Sequence, residues 1–474
     1  MTETAVKLKS SEKQKQPGKS KLALRNGIFL VKGIPFTVKG VCYSPIKAGY
    51  SWNNYDWWSD PESYNSDFPL IASMGANCVR TFGVSNNEAS VKAVLDSAAA
   101  NGLYVIVGFS VPWEIDYGNA ENRKAIVDEF CQFVDKWKAH SAVLIWCFGN
   151  EVDMHSKNVS GWYKLVEEAC KAARVVEGLK DYHPIMTANQ ELKGIEKSDP
   201  LVPALDLWGL NVYRGKTFGA LFNEYRSDKP FIMTEWGCDV FDARTQSPNE
   251  EMQSKYIESQ WQEIKAHLVT EDPRAKCLGG LVFEWSDEWW KGASTPFTPS
   301  TIGQGGISGC SVHDTVPDWT NHNYEDIFMN EEWWGIVGIN FGSYERTKRL
   351  SYYTLSGLWG GSSIHGKENE SENSKIFENE IWGYQNTVFV NCGSSTKIKV
   401  CVRKETQIDG EIFTPSGEKI AELRDFVLVD RYYESYWNGK DLNGNYVKYG
   451  AYICKLTAVS GKKEEIRYCK IAII

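Results

Sequence analysis

Residues Val143-Leu144-Ile145-Trp146-Cys147-Phe148-Gly149-Asn150-Glu151-Val152 open with an unbroken apolar run and close on Gly-Asn-Glu. A run this short with no polar face reads as a strand buried on both sides. A carboxylate at the C-terminal tip of such a strand is costly unless something uses it. A second stretch further on, Phe231-Ile232-Met233-Thr234-Glu235-Trp236-Gly237, has the same build. In a barrel of parallel strands that tip is the working face. The two stretches together predict two glutamates, Glu151 and Glu235, turned towards one pocket.

The rest of the N-terminal part supplies the other staves. Ala23 to Phe36 reads as a hairpin turning at Asn26-Gly27. Further short apolar runs follow at Thr37–Tyr43, Asn77–Phe82, Leu103–Phe109, Pro184–Ala188, Leu207–Tyr213 and Leu278–Trp285. Between most of them the apolar spacing becomes helical, as in Val91, Val94, Leu95 and Ala98, or Ile126, Phe130, Phe133, Val134 and Trp137. Eight strands alternating with helices predict an α/β fold, a (β/α)8 TIM barrel, over residues 22–360. A doubly wound sheet would carry a Gly-rich phosphate turn after the first strand, and Cys42-Tyr43-Ser44-Pro45 is not one.

Beyond the eighth strand, Ser286 to Arg349 is a polar and aromatic insertion on the expected active face. Its notable residues are Asp287, Glu288, Trp289, Trp290, His313, Asp314, Trp333 and Trp334. A loop of that length is functional or has structure of its own. Gly361 to Ser374 reads as a linker rich in Gly, Ser, Glu and Asn. From Lys375 to Ile474 the apolar period changes to two, and turn signals recur at Asn438-Gly439 and Asn443-Gly444, predicting a small all-β sandwich.

Composition narrows the function classes. The 474 residues carry a net charge of −9 with no basic stripe, which argues against a nucleic-acid partner. No apolar run approaches a membrane span. Residues 1–21 are Lys-rich without an apolar core, so they read as a disordered tail and not as a signal peptide. That favours a cytoplasmic location, or an extracellular one if a leader has been removed. The 12 Cys show no metal-type spacing, and Cys42, Cys78, Cys147 and Cys238 read as small buried thiols. No metal and no cofactor are expected, and the oligomeric state is left open. The 19 Trp and 23 Tyr give flat faces suited to stacking on sugar rings, above all in the loop Tyr50 to Trp58.

Two opposed carboxylates suit the cleavage of a glycosidic bond, where one protonates the leaving oxygen and the other meets positive charge at the sugar carbon. Their environments must then push the two pKa values apart. Arg80, near the end of the second strand, is expected beside Glu235. Tyr213 is placed to donate its hydroxyl to the same carboxylate. Asn150 is placed to bond the sugar hydroxyl next to the reacting carbon, and Trp285 to form a floor under the ring. Trp236, Trp113 and Asp287 complete the candidate substrate-binding set. An oligosaccharide or polysaccharide is the expected partner.

These motifs carry a resemblance. Arg80 in Cys78-Val79-Arg80, Asn150-Glu151, Tyr213 in Leu210-Asn211-Val212-Tyr213, Thr234-Glu235-Trp236-Gly237 and Phe283-Glu284-Trp285 together resemble the retaining glycoside hydrolases of clan A. The resemblance implies Glu151 as acid/base and Glu235 as nucleophile. The barrel is similar to the catalytic domain of family 2, without the two β-domains that precede it there. Gly149-Asn150-Glu151-Val152 and Thr234-Glu235-Trp236-Gly237-Cys238 also resemble the fungal β-1,3-glucanosyltransferases of family 72, which have Tyr at the position of Trp236. Val212 departs from family 5, which usually has His there. The implied activity is hydrolysis of a β-linked glucan or related glycoside. Transglycosylation by the same glutamates is the alternative, and a non-catalytic carbohydrate-binding barrel a third. Trp437 to Asn445 with Gly450-Ala451-Tyr452 resembles the immunoglobulin-like domain of flagellar hook-capping proteins.

Overall fold

The structure is a computed structural model. It describes residues 22–47, 50–178, 180–245, 247–288, 290–291, 324–326, 328–339, 343–361, 396–401, 407–414, 418–429, 432–448, 450–460 and 463–473. The chain divides into two compact units, Met1–Ile364 and His365–Ile474. The tail 1–21, the linker beyond Gly361, and Trp289, His313 and Asp314 of the insertion lie outside the described residues.

The first unit begins with β1 (Leu22–Arg25), β2 (Ile28–Val31) and β3 (Ile34–Pro35). Asn26 and Gly27 both take positive φ, 51° and 78°, as the two-residue turn between right-twisted strands requires. Leu22, Phe29 and Val31 of this hairpin share a buried cluster with Val38, Cys78, Ile106 and Leu144 of the barrel interior. The barrel strands are β4 (Val38–Cys42), β5 (Cys78–Arg80), β6 (Tyr104–Phe109), β7 (Val143–Asn150), β8 (Ile185–Gln190) and β9 (Leu207–Asn211), followed by β10 (Phe231–Trp236). A small hairpin, β11 (Phe241–Asp242) and β12 (Ser247–Pro248), precedes the last barrel strand, β13 (Cys277–Val282). The eight barrel strands run parallel, each paired to the next, and β13 pairs back onto β4 to close the ring. A closed parallel ring buries both faces of every strand, which is why these segments read as continuous apolar runs.

Strand β7 shows how side chains partition. Ile145 and Cys147 belong to the interior cluster, while Trp146 and Phe148 belong to the cluster between strands and helices. The outer layer is made by α1 (Pro61–Ser73), α2 (Glu88–Ala100), α3 (Ala120–Trp137), the short α4 (Val152–His155), and α5 (Val159–Glu177). Two further short helices, α6 (Ile195–Ser198) and α7 (Leu221–Glu224), precede α8 (Glu250–Ala266). In α5 the residues Trp162, Leu165, Val166, Ala169, Cys170 and Ala173 are buried at helical spacing. Asn158 caps its start by accepting from the Gly161 N–H, and Gly178 ends it at φ 63°. Each large apolar side chain buried on such a stripe stabilises by about 1.5–3 kcal/mol. Within the insertion, β14 (Val337–Ile339) and β15 (Arg346–Lys348) pair, and after it α9 (Leu350–Trp359) packs alongside α8. Cys42, Cys78, Cys147 and Cys238 are free buried thiols.

The second unit is all-β among its described residues. One antiparallel sheet holds β16 (Thr396–Cys401), β19 (Val427–Val429) and β20 (Tyr432–Trp437). The other holds β17 (Gln407–Phe413), β18 (Lys419–Leu423), β21 (Gly450–Ser460) and β22 (Lys463–Ile473). Trp437 of the first sheet joins Ile412, Leu423, Cys454 and Leu456 of the second in one core, so the sheets pack face to face.

Candidate active site

The C-terminal ends of the strands gather a polar cluster over the apolar barrel core. At the end of β7 the chain turns sharply. Gly149 has φ 77°, and a Cβ there would stand 2.7 Å from the Trp162 ring, so no larger residue fits without a shift. Glu151 itself takes φ 51°. Left-handed backbone at a non-glycine residue costs of order 1 kcal/mol or more and clusters at functional sites. The Glu151 N–H is tied to the Ala188 carbonyl of β8 at 2.8 Å, which fixes the turn.

Glu235, on β10, is held through both carboxylate oxygens. Arg80 Nη1 donates to Oε1 at 2.8 Å and Tyr213 Oη donates to Oε2 at 2.9 Å. Arg80 is 1% exposed and also donates to the Thr234 carbonyl at 3.2 Å and to Asn150 Oδ1 at 2.6 Å. A buried guanidinium of this kind must be paired to be tolerated, and although burial acts to lower it, its already high pKa is raised further by the neighbouring Cys147 and the Glu235 charge. Burial, then the Glu235 charge, pushes the Tyr213 phenol well above its ordinary value, so it stays a donor.

Glu151 is treated differently. Burial is the main cause, and the nearby Glu235 charge the second, of a pKa pushed up to about 7. Asn211 Nδ2 donates to Glu151 Oε1 at 3.0 Å and to Asn150 Oδ1 at 3.1 Å, while its own oxygen accepts from Thr234 Oγ1 at 2.7 Å. Because two donors converge on Asn150 Oδ1, that amide presents its NH2 group in the other direction. The sequence reading missed Asn211, although it stands two residues before Tyr213. The available signal was a polar residue ending an otherwise apolar strand.

Arg80, Asn150, Glu151, Tyr213 and Glu235 therefore converge, from β5, β7, β9 and β10. Three other candidates do not. Trp285 is fully buried in the outer layer, edge-on to Tyr352 of α9, and offers no floor to a sugar. The chain leaves the β ladder after Val282, so Phe283 is the residue that faces inwards. Phe283 meets Phe82 and Tyr213 edge-on at 6.2 Å and Trp334 at 5.6 Å, and is 7% exposed. Trp236 is also fully buried, stacked on Trp261 of α8. Strand alternation turns it outwards from the mouth when Glu235 turns inwards. Asp287 is taken up by structure: Arg349 grips both of its oxygens at 2.6 and 2.7 Å, and it accepts from the Gly335 N–H. Trp333 and Trp334 are buried and form no open platform. In the first loop Trp57 and Trp58 are buried and stacked at 4.5 Å, whereas Tyr50 and Trp52 are exposed. Trp113 is exposed, with its ring stacked on His155.

With the geometry in hand, comparison with known proteins gives three findings. A sequence model of the glycoside hydrolase family 72, described as Glucanosyltransferase, matches residues 15–182. The 1,3-beta-glucanosyltransferase GAS4 of Saccharomyces cerevisiae is 24% identical over 287 residues, covering 54% of this chain and 57% of that protein. The beta-glucuronidase of Chlorocebus aethiops is 24% identical over 287 residues, covering 56% of this chain and 41% of that protein. The chain thus spans about half the length of the curated relatives it matches. Among solved structures, the Bacteroides uniformis beta-glucuronidase superposes with a TM-score of 0.51 at 14% identity, covering 96% of this chain and 48% of that one. The Parabacteroides merdae beta-glucuronidase gives 0.50 at 16% identity, with 96% and 50% covered. At these identities the likeness establishes a shared fold.

Proposed function

We propose that the chain is a retaining β-glycoside hydrolase of the clan A kind, working by double displacement. The observation that carries this reading is the unequal treatment of the two glutamates. Glu235 is salt-bridged to Arg80 and bonded by Tyr213, as a carboxylate nucleophile needs. Glu151 holds a proton up to about pH 7, as a general acid needs. Glu235 attacks the anomeric carbon while Glu151 protonates the departing oxygen; Glu151, now ionised, then takes a proton from the water that releases the sugar. Asn150 offers its NH2 to the hydroxyl beside the reacting carbon, and Phe283 lies under the ring. The relatives, named for transfer and hydrolysis of β-linked sugars, support the same chemistry.

The sugar cleaved is a neutral one. On the side of the mouth where Glu235 and Phe283 stand, Arg80 is paired with Glu235, and Lys291 with Glu288 and Glu331 at 2.7 and 3.1 Å. Among the described residues there, a uronate carboxylate would meet only cations already paired with carboxylates. The β-glucuronidase fold is thus read here as a scaffold for a β-glucoside or a related neutral glycoside. The β-sandwich unit is read as an immunoglobulin-like accessory domain.

Proton NMR of the first product formed from an aryl β-glucoside tests the mechanism. Retention yields the β-anomer first, and an α-anomer would overturn the assignment of Glu235 as nucleophile. A second reading, transfer to another sugar, is favoured by the match to the glucanosyltransferase family. Products longer than a β-1,3-glucan oligosaccharide substrate, at low donor concentration, would select it.

A further inference from the structure

We infer that Trp113, backed by His155, is the platform for the sugar on the leaving-group side of the scissile bond, and for an acceptor sugar when one replaces water. This rests on the retaining reading above. The Trp113 and His155 rings lie 4.1 Å apart at 19°, so one face of the indole is covered. Trp113 is nevertheless 50% exposed, whereas most tryptophans of the barrel unit are buried. Its other face is a flat apolar surface open for a ligand ring to stack on.

Position identifies the ligand. Trp113 follows β6 and Glu151 follows β7, strands that pair in parallel with Phe109 opposite Phe148. His155 closes α4, the single helical turn that starts directly after Glu151. Both rings therefore rise from the rim on the acid's own side. Strand β10, which carries Glu235, is the fourth neighbour of β6 in either direction round the eight-stranded ring, and so stands diametrically across the mouth. In a retaining site the nucleophile and the departing oxygen lie on opposite sides of the anomeric carbon. The departing oxygen must reach Glu151, so the remainder of the substrate extends away from Glu235, towards β6. The Trp113 loop is pinned for such a role: Tyr117 Oη donates to the Pro112 carbonyl, and Val111 is buried. A pyranose ring presents C–H groups on its flat face and hydroxyls at its edge, the complement of an indole with one open face.

The occupant is thus a pyranose of a β-linked oligosaccharide, recognised by stacking. The test compares a substrate that has such a sugar with one that does not. The full chain and its Trp113→Ala, Trp113→Tyr and His155→Ala variants are assayed on β-glucosyl fluoride, whose leaving group is a single atom, and on a β-1,3-linked glucose pentamer. Trp113→Ala should lower kcat/KM on the pentamer about tenfold more than on the fluoride, with His155→Ala intermediate and Trp113→Tyr close to the parent. Loss of kcat/KM in equal proportion on both substrates, or no loss on either, would overturn the assignment. If the parent chain turns over neither substrate, the glycosidase reading for neutral glucosides fails first, and this subsite with it.

Discussion

At Glu151 a single residue combines a strained backbone, burial and a charged neighbour. In the proposed double displacement its proton is what the reaction consumes first, which sets a direction for the pH profile. The protonated form is active, and the pKa is raised to about 7 by burial and then by Glu235. Activity on a substrate with a poor leaving group should therefore hold below that value and fall about tenfold per pH unit above it. A profile of kcat/KM against pH checks this; activity that keeps rising to pH 9 would rule out Glu151 as the acid. The two glutamates should also fail differently. Glu235→Gly leaves a space between Arg80 and Tyr213 that a small anion can fill, so azide should restore turnover and leave an α-glycosyl azide. Glu151→Ala should spare dinitrophenyl glycosides, which depart without a proton, and cripple alkyl glycosides. Both glutamates, Arg80 and Tyr213 were readable because each ends or follows an apolar run. The raised pKa of Glu151 was not readable, because desolvation depends on what packs around a group and not on its neighbours in sequence.

The elements that matter most are the strand ends, and there local pattern misleads in one place. Phe283-Glu284-Trp285 reads as a strand with the larger ring best suited to a sugar. Strand β13 ends at Val282, however, and beyond it the ladder no longer dictates which side chain faces inwards. Phe283 turns to the mouth and Trp285 to α9. The two should separate experimentally. Phe283→Ala should cost activity well beyond its cost in stability, with kcat/KM down at least about tenfold, since a sugar loses its apolar floor. Trp285→Ala should act mainly through folding, by about 3–5 kcal/mol, as large buried aromatics do. Thermal melts alongside kinetics on the soluble fraction distinguish them, and a Trp285→Ala protein that melts normally but has lost turnover would reverse the assignment. Asn211 belongs to the same scale. It bonds both Asn150 and Glu151, three strand ends being locked by one amide, and that junction exists only once the closed barrel brings the ends of β7, β9 and β10 together, with β8 between β7 and β9.

For the whole molecule, the barrel is closed by its own strand pairing and fills its interior with its own side chains. Removing residues 365–474 should therefore leave hydrolysis of a small soluble glycoside within about twofold of the full chain, as expected of an autonomous core. Insoluble or inactive protein from the truncation would show that the β unit is needed structurally. The order of eight buried strands, the hairpin at Asn26-Gly27 and the two strand-end glutamates were determined by sequence alone. Apolar runs, helical spacing and turn residues act over a few neighbours, and a parallel ring demands strands without a polar face. Tertiary structure alone decided which rings are buried, which ion pairs are structural, and that burial raises the pKa of Glu151. Asp287 is claimed by Arg349, sixty-two positions on, and Trp236 by Trp261 on a helix behind it. Such partners are chosen by proximity in the closed barrel, where charge and burial act across space between residues that are remote along the chain.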